Sequence, residues 1–295
     1  MADGHPTLDQ LRLFIAVAEQ GSFNAAARQL GRAISAVSYG VANLEAQLGT
    51  VLFERQGSSK PVLTDAGKAL LANARAVADE VDALLLRARS QQQGLESELT
   101  LVVDVMYPSA ALSAVLRGFQ TAFPTVDLRL HVEALGAVAG MVRDRQADLG
   151  IGGPVAAELP ELERMALSSV ALVPVAAPGH PLARMATITP GASRKHLQLV
   201  LTDRSPLTEG RDFSVLSPRT WRLADLGAKH ALLLEGIGWG NMPDHAVAHD
   251  LAAGRLVRLA IPDAPGLDYR FTLLWRRDCP PGPAQLWMRE ALISS

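Results

Sequence analysis

The sequence predicts an α/β two-lobed domain preceded by an all-α-rich winged helix-turn-helix domain and a long linker helix. Three observations predict it. Residues 22–45 read as two short helices about a glycine turn, and residues 65–93 carry an apolar repeat of alternating steps of four and three. From Glu98 onward, strand-length apolar runs alternate with helical patterns, the grammar of a parallel α/β sheet. The expected parts are 1–64, 65–93 and 98–295. The last divides into lobe I, about 98–165 and 267–295, and lobe II, about 166–266.

Residues 8–19 form a first helix with the apolar stripe Leu8, Leu11, Phe14 (or Ile15) and Ala18, capped by Thr7. Ser22 caps the second helix, the run Ala25-Ala26-Ala27 keeps it thin, and Gly31 ends it at positive φ. Ser35 is expected to cap a third helix through residue 48, with Val37, Val41, Leu44 and Leu48 at helical spacing. Ser38, Tyr39, Ala42 and Asn43 lie on other faces. This is the layout of a recognition helix that enters a DNA major groove; an Ala-rich helical subdomain is the plainer alternative. Residues 50–63 read as a wing, with a strand at Val51-Leu52-Phe53, a turn at Gln56-Gly57-Ser58-Ser59 and a return at Pro61-Val62-Leu63. Arg55 and Lys60 flank that turn, placed to hold phosphates.

The motifs Phe23-Asn24-Ala25-Ala26-Ala27, Ala36-Val37-Ser38, Leu44-Glu45, Leu48-Gly49, Leu52-Phe53-Glu54-Arg55 and Leu63-Thr64-Asp65-Ala66-Gly67 run without a gap from about Leu8 to about Leu71. In order and spacing they resemble the N-terminal domain of LysR-type transcriptional regulators. The resemblance implies a bacterial, sequence-specific regulator of promoter DNA, with Arg28, Arg32, Ser35, Ser38, Tyr39, Asn43, Arg55 and Lys60 as its DNA-contacting residues. The chain departs from the family where Gln or Pro is common near 34 and 35, and Arg or Gln near 39 and 40. It has Ile34, Ser35, Tyr39 and Gly40, so the strong guanidinium-to-guanine contact is missing from that place. Gly40 costs about 1 kcal/mol against Ala in a helix; it allows close approach to DNA, or is a tolerated surface glycine.

Composition restricts the alternatives. The 295 residues are 48% hydrophobic and carry a formal net charge of −2, which argues against a generally basic nucleic-acid coat. Over residues 1–64 the basic Arg12, Arg28, Arg32, Arg55 and Lys60 balance the acidic Asp3, Asp9, Glu19, Glu45 and Glu54. Useful affinity therefore requires two or more modules on one site, and phosphate contacts make it fall with salt. The single cysteine, Cys279, forms no intramolecular disulfide, and no Cys/His cluster has zinc spacing. No cofactor or metal is expected. No signal-peptide pattern and no apolar run of the roughly 20 residues that span a bilayer occurs, so a cytoplasmic protein without membrane contact is expected.

Thr64-Asp65 caps the long helix. Leu70, Ala74, Val77, Val81, Leu84 and Ala88 form its heptad seam, read here as a dimerisation surface, with packing on its own domain as the alternative. Paired helices fix the spacing of two DNA-binding modules. In the C-terminal half, strands are expected at Leu99–Val103, Val126–Val132, 148–152, Val170–Ala176, Gln198–Leu201, Leu256–Leu259 and Tyr269–Trp275. Helices are expected at Ala110–Phe123, Val138–Arg145, Ala224–Glu235, Asp244–Leu251 and Ala284–Ile293. More weakly, 98–292 resembles the family's effector domain, a type 2 periplasmic binding protein-like fold.

Ligands of open α/β sheets bind outside the carboxyl ends of strands. That selects Tyr107, Pro108, Ser109, Leu135, Gly136, Gly153, Thr202, Asp203, Trp239, Gly240, Asn241 and Met242 as effector-binding residues, with Ser109 foremost because helix N-termini bind anions. Core or turn roles are the alternative for each. The expected effector is a small organic molecule with an apolar part, and an anion such as a carboxylate where it meets a helix N-terminus. The family resemblance also implies a homodimer or homotetramer and contact with RNA polymerase. An enzyme is disfavoured: His180, His196, Asp203 and Ser205 form no nucleophile–base signature. A solute receptor, and a regulator that has lost its ligand, are the remaining rivals.

Overall fold

The computed structural model describes residues 4–54, 60–92, 94–154, 159–203, 205–211, 213–264 and 266–295. They form two compact units, Met1–Gln92 and Gln93–Ser295.

The first unit contains α1 (Leu8–Gln20), α2 (Phe23–Leu30), α3 (Ile34–Leu48) and α4 (Asp65–Gln92). Thr7 and Gln10 close a reciprocal capping box on α1, and the Ser22 hydroxyl accepts the Ala25 amide at the start of α2. Gly21, Gly31 and Gly49 end the three short helices at positive φ, where a Cβ is strained. Leu13, Phe14, Val17, Ala26, Ala27, Val37, Val41, Leu44, Leu52 and Phe53 make the core, and Phe14 and Phe23 meet the Phe53 ring edge-on. Leu48, expected in this stripe, is exposed. The wing is anchored by the antiparallel bridge Phe53–Leu63 and by the Glu45 carboxylate, which accepts the amides of Leu52 (2.7 Å) and Phe53 (3.2 Å). Its turn, including Arg55, lies outside the described residues.

Two expectations need correction here. Helix α3 starts one residue before Ser35: Ala33 is its N-cap and supplies no side-chain acceptor. Gly40 is buried, and a Cβ there would overlap the tip of Leu13, itself buried. The glycine lets α1 and α3 pack closely; it does not serve an approach to DNA. Gly40→Ala is therefore expected to destabilise this unit by a net ~1–2 kcal/mol, overpacking outweighing better helix propensity. Urea unfolding followed by circular dichroism measures it, and a stabilised variant would show that Leu13 moves aside without cost.

Helix α4 begins with Thr64, whose hydroxyl accepts the Gly67 amide at 2.9 Å. Its first turns belong to the module. Ala74 is buried in the core and Leu70 packs against it, so these two members of the expected seam are used within their own chain. Arg75 and Glu19 pair at 2.9 Å, and Arg12 pairs with Asp82, tying α4 to α1. Further along, Val77, Leu84, Leu85 and Leu86 are exposed.

The second unit runs β1 (Glu98–Asp104), α5 (Ser109–Ala122), β2 (Asp127–Glu133), α6 (Gly136–Arg143), β3 (Leu149–Gly152), β4 (Leu162–Ala176), β5 (Gln198–Leu201), β6 (Thr220–Leu223), α7 (Leu226–Leu234), β7 (Gly240–Pro243), α8 (Asp244–Ala252), β8 (Val257–Arg258), β9 (Leu267–Arg276) and α9 (Pro283–Ile293). The large sheet has the order β2-β1-β3-β9-β4-β7, with β8 also on β4. It is mixed: β2, β1 and β3 are parallel, whereas β9 is antiparallel to both β3 and β4.

Strands β4 and β9 are the two crossovers. Leu162–Ala166 pair with Thr272–Arg276 in lobe I, and Ser169–Leu172 pair with Leu267–Arg270 in lobe II, with a register shift between. The expected strand at Val170–Ala176 is thus the second half of a longer one. Its first half, Leu162–Ser169, is mostly exposed and mixes apolar with polar residues out of step, so no period-2 alternation marks it. In lobe II, β5 and β6 are parallel, and the Trp239 backbone joins β5 through Leu199 N–H to Trp239 O at 2.8 Å. At the other end, the Glu96 carboxylate accepts the amides of Ala284 and Gln285, both at 3.0 Å, at the start of α9.

Candidate functional site

Each unit carries a candidate site. In the first, α3 buries Val37, Gly40, Val41 and Leu44 and exposes Ser35, Ser38, Tyr39 and Ala42. At 100° per residue these four fall on one stripe. Tyr39 is 70% exposed, far more than packing requires of a tyrosine. Asn43 is half-buried at the border of the stripe. Because Ala33 caps without a side chain, the first N–H groups of α3 keep donors for an incoming phosphate. Arg28 and Lys60 are exposed. Arg32, also expected at phosphate, makes two 2.7 Å hydrogen bonds to Asp9, and that pairing raises its already high pKa. Its guanidinium ties α1 to the turn after α2.

In the second unit a cavity of about 620 Å³ lies between the lobes, walled by Met106, Leu135, Leu172, Gln198–Leu201, Phe213, Lys229, Asn241 and the stretch 267–270. Of the residues expected from the sequence, Leu135 and Asn241 line it. Leu135 has φ +50°, a strained value for a leucine, and it is the residue from which α6 departs.

The others are placed elsewhere. Tyr107 is buried with its ring 5.0 Å from that of Phe271. Pro108 is the N-cap of α5, and Ser109, exposed, is its first residue; neither lines the cavity. Trp239 and Met242 are core. Gly240 has no room for a Cβ, which would stand 2.6 Å from the Leu199 carbonyl oxygen. Gly153 is pressed against the Tyr269 hydroxyl. Thr202 and Asp203 line a separate, polar recess of about 630 Å³ with Ser205, Thr208, Glu209, Arg211 and Arg222. After β1 the cavity is lined by Met106, which was not among the expected residues, and after β2 by Leu135, which was; lobe II offers the flank of β5 and Lys229 of α7.

Asp203 has a defined role. Its Oδ2 accepts the Ala137 amide of lobe I at 2.9 Å, and its Oδ1 accepts the Thr208 hydroxyl. Gly136 lets these segments meet: a Cβ there would lie 2.9 Å from Thr208 Cγ2. The N-terminus of α6, a ready anion site, is thus filled by the protein's own carboxylate, which latches lobe II to lobe I. Asp203→Ala is expected to cost the second unit ~1–3 kcal/mol and to speed hydrogen exchange at the Ala137 amide selectively. Unchanged exchange there would remove the latch.

Sequence reasoning missed Lys229, Phe213 and Tyr269. Lys229 had a readable signal, since it shares one helical stripe with the buried Leu226 and Leu233. Its Nζ donates to the Asn241 carbonyl at 2.6 Å, and burial pulls its pKa down to about 8. The Tyr269 hydroxyl donates to Asp104 Oδ2 at 2.7 Å. Asp104, 1% exposed, is pushed by burial up to about 6, against the pull of the Tyr269 hydroxyl and backbone donors. Among the described residues no group of three or more His, Cys, Asp or Glu has metal-site geometry, and no helix is long and apolar enough to cross a membrane.

Comparison with known proteins bears on both sites. Residues 8–68 match the family described as bacterial regulatory helix-turn-helix protein, lysR family, and residues 92–295 match the LysR substrate binding domain. The probable HTH-type transcriptional regulator YhaJ of Escherichia coli K12 is 30% identical over 289 residues, covering 96% of this chain and 95% of its own. Among solved structures, ArgP from Mycobacterium tuberculosis is 25% identical with a TM-score of 0.51, covering 98% of this chain and 97% of its own. Full-length LysG from Corynebacterium glutamicum with bound effector Arg has the same coverage, 21% identity and a TM-score of 0.53, a likeness of fold.

Proposed function

We infer, from a chain that belongs to the LysR-type family of transcriptional regulators and so joins a DNA-binding helix-turn-helix to an effector-binding domain, that a small organic molecule in the interlobe cavity controls how the protein sits on promoter DNA. The observation that carries this reading is the cavity itself. It is walled by both lobes, and the lobes are joined by the strands β4 and β9 and by contacts such as the Asp203 latch. A ligand there contacts both lobes at once, so it has different affinity for different lobe arrangements. Differential affinity is what a population shift requires.

On the DNA side, the stripe Ser35, Ser38, Tyr39 and Ala42 enters the major groove, with Arg28 and Lys60 at phosphates. The near-neutral charge of the module makes single-module binding weak, so two modules act together. The exposed part of α4, Val77 and Leu84 with Val81 and Ala88, supplies the pairing surface for a homodimer, and two dimers form a tetramer. Effector binding changes the angle between DNA-binding pairs, and with it DNA bending and RNA polymerase access. The protein works in the cytoplasm and performs no catalysis.

Gel-shift with the DNA flanking its own gene, at two salt concentrations and with and without pooled metabolite extract, tests this. Salt-sensitive binding whose pattern changes with extract is expected. Specific binding that no metabolite fraction alters would remove the effector part of the reading, and turnover of any ligand would revive an enzyme.

A further inference from the structure

We propose that the interlobe cavity takes a small organic anion with an apolar body, in its simplest form a monocarboxylate, and that Lys229 is the residue that reads the negative charge. The proposal rests on the effector-site reading of the cavity given above and adds to it the ligand class and the selecting group.

Lys229 lines the cavity and is 3% exposed. A buried ammonium is costly unless a counter-charge or a full set of acceptors meets it. Among the described residues Lys229 forms no ion pair; its hydrogen bond goes to the neutral carbonyl of Asn241, also on the cavity wall. An ammonium has three N–H donors, so two remain for a ligand.

The surroundings are shaped around this side chain. A Cβ on Gly240 would stand 3.0 Å from Lys229 Cε, so the glycine gives the lysine stem its slot against β7. The only shift on Lys229 is from desolvation, and a pKa of about 8 leaves it mostly protonated near neutral pH.

Of the other polar groups of the wall, Asn241 and Thr272 are half-buried and uncharged, and the rest are engaged or exposed. The Gln198 amide donates to the Ser214 carbonyl at 2.8 Å and accepts the amides of Leu216 and Ser217. The Tyr269 hydroxyl is held by Asp104. Asp268 and Arg270, one acid and one base, are both exposed on β9, so their charges offset. Lys229 is thus the unbalanced charge of the pocket, while Met106, Leu135, Leu172, Phe213 and Leu267 offer apolar surface to the rest of the molecule. An anion of this kind both completes the lysine and buries its hydrocarbon part.

Isothermal titration of the full-length protein with matched pairs, phenylacetate against phenylacetamide and hexanoate against hexanamide, tests the proposal. The acids are expected to bind roughly tenfold to a hundredfold more tightly than the amides, the range for a charge-assisted hydrogen bond. Lys229→Met, which keeps the volume and removes the buried charge, is expected to abolish that preference and leave amide affinity in place. Equal affinity within the wild-type pairs overturns the proposal without any variant. So does the absence of acid binding at millimolar concentration, or a preference that survives in Lys229→Met. Leu267→Trp, which crowds the cavity wall, separates the two levels. If it weakens acid binding but Lys229→Met leaves the preference, only the lysine assignment fails. If acids bind to Leu267→Trp as tightly as to the wild type, the effector-site reading fails with it.

Discussion

Ser38→Glu is expected to weaken binding to operator DNA by at least about a hundredfold, close to 3 kcal/mol, with the fold of both units intact. Ser38 is exposed at the centre of the α3 stripe. Glutamate is a better helix former than serine, and no packed neighbour is displaced, so the first unit should unfold at the same urea concentration as the wild type. What changes is the field at the DNA surface. A carboxylate placed among phosphates is a like-charge contact, worth several kcal/mol against binding when water is excluded. The local positive field is too weak to offset it: the module has equal numbers of basic and acidic residues over 1–64, and Arg32 is held by Asp9. Fluorescence anisotropy with the flanking DNA at two salt concentrations provides the measurement. DNA affinity unchanged from wild type would mean that another face of the first unit meets the groove. Ligand binding, which depends on the second unit, is expected to be the same in both proteins.

The first unit was more legible in the sequence than the second because its signals are local. Thr7 with Gln10, Ser22 with Ala25, and Gly31 act within one helical turn, and the Val37–Val41–Leu44 stripe needs no knowledge of its partner. Gly40 shows the limit: its purpose is a contact with Leu13, and sequence spacing carries no record of that meeting. In the second unit the strands with hydrophobic alternation or continuous apolar character, such as Leu99–Val103 and Gln198–Leu201, were visible. The crossover half of β4 was not, because a strand exposed to solvent is free to carry Glu163, Arg164 and Ser168. The interlobe cavity was the hardest part. A rule based on strand ends found Leu135 and Asn241, while Lys229 and Phe213 reach the site from a helix face and a loop. Asp203 stands at a strand end, as the rule requires, but its carboxylate accepts the Ala137 amide at the α6 terminus and lines a separate recess.

Gly153→Ala is expected to destabilise the second unit by ~3 kcal/mol or more near pH 7.5, and by less near pH 5. A Cβ at this buried position would overlap the hydroxyl and ring of Tyr269, which is 4% exposed, so the ring must shift toward the interlobe cavity it lines. Moving the ring breaks its bond to Asp104. That bond joins the end of β1 in lobe I to the part of β9 that pairs with Val170 in lobe II. Asp104 then becomes a buried carboxylate with only backbone donors such as the Met106 amide, at 2.9 Å, and unpartnered buried charge is costly. The pH dependence follows from the raised carboxyl pKa. The unfolded chain releases this proton near pH 4, and the folded protein near pH 6. The stability contributed by Asp104 is therefore fully present below about pH 4 and is lost as pH rises through 6, an amount on the order of 3 kcal/mol. Without the Tyr269 donor, which favours the ionised form, the folded pKa rises further and the loss above pH 6 deepens, while well below pH 4 this part of the difference vanishes. Tyr269→Phe isolates it, removing the donor without crowding, at ~1–3 kcal/mol near pH 7.5. All four tryptophans, Trp221, Trp239, Trp275 and Trp287, lie in the second unit, so urea unfolding followed by tryptophan fluorescence reads it alone. Equal losses at both pH values in Tyr269→Phe would show that the hydroxyl does not support the Asp104 charge, and would reduce the Gly153 effect to crowding.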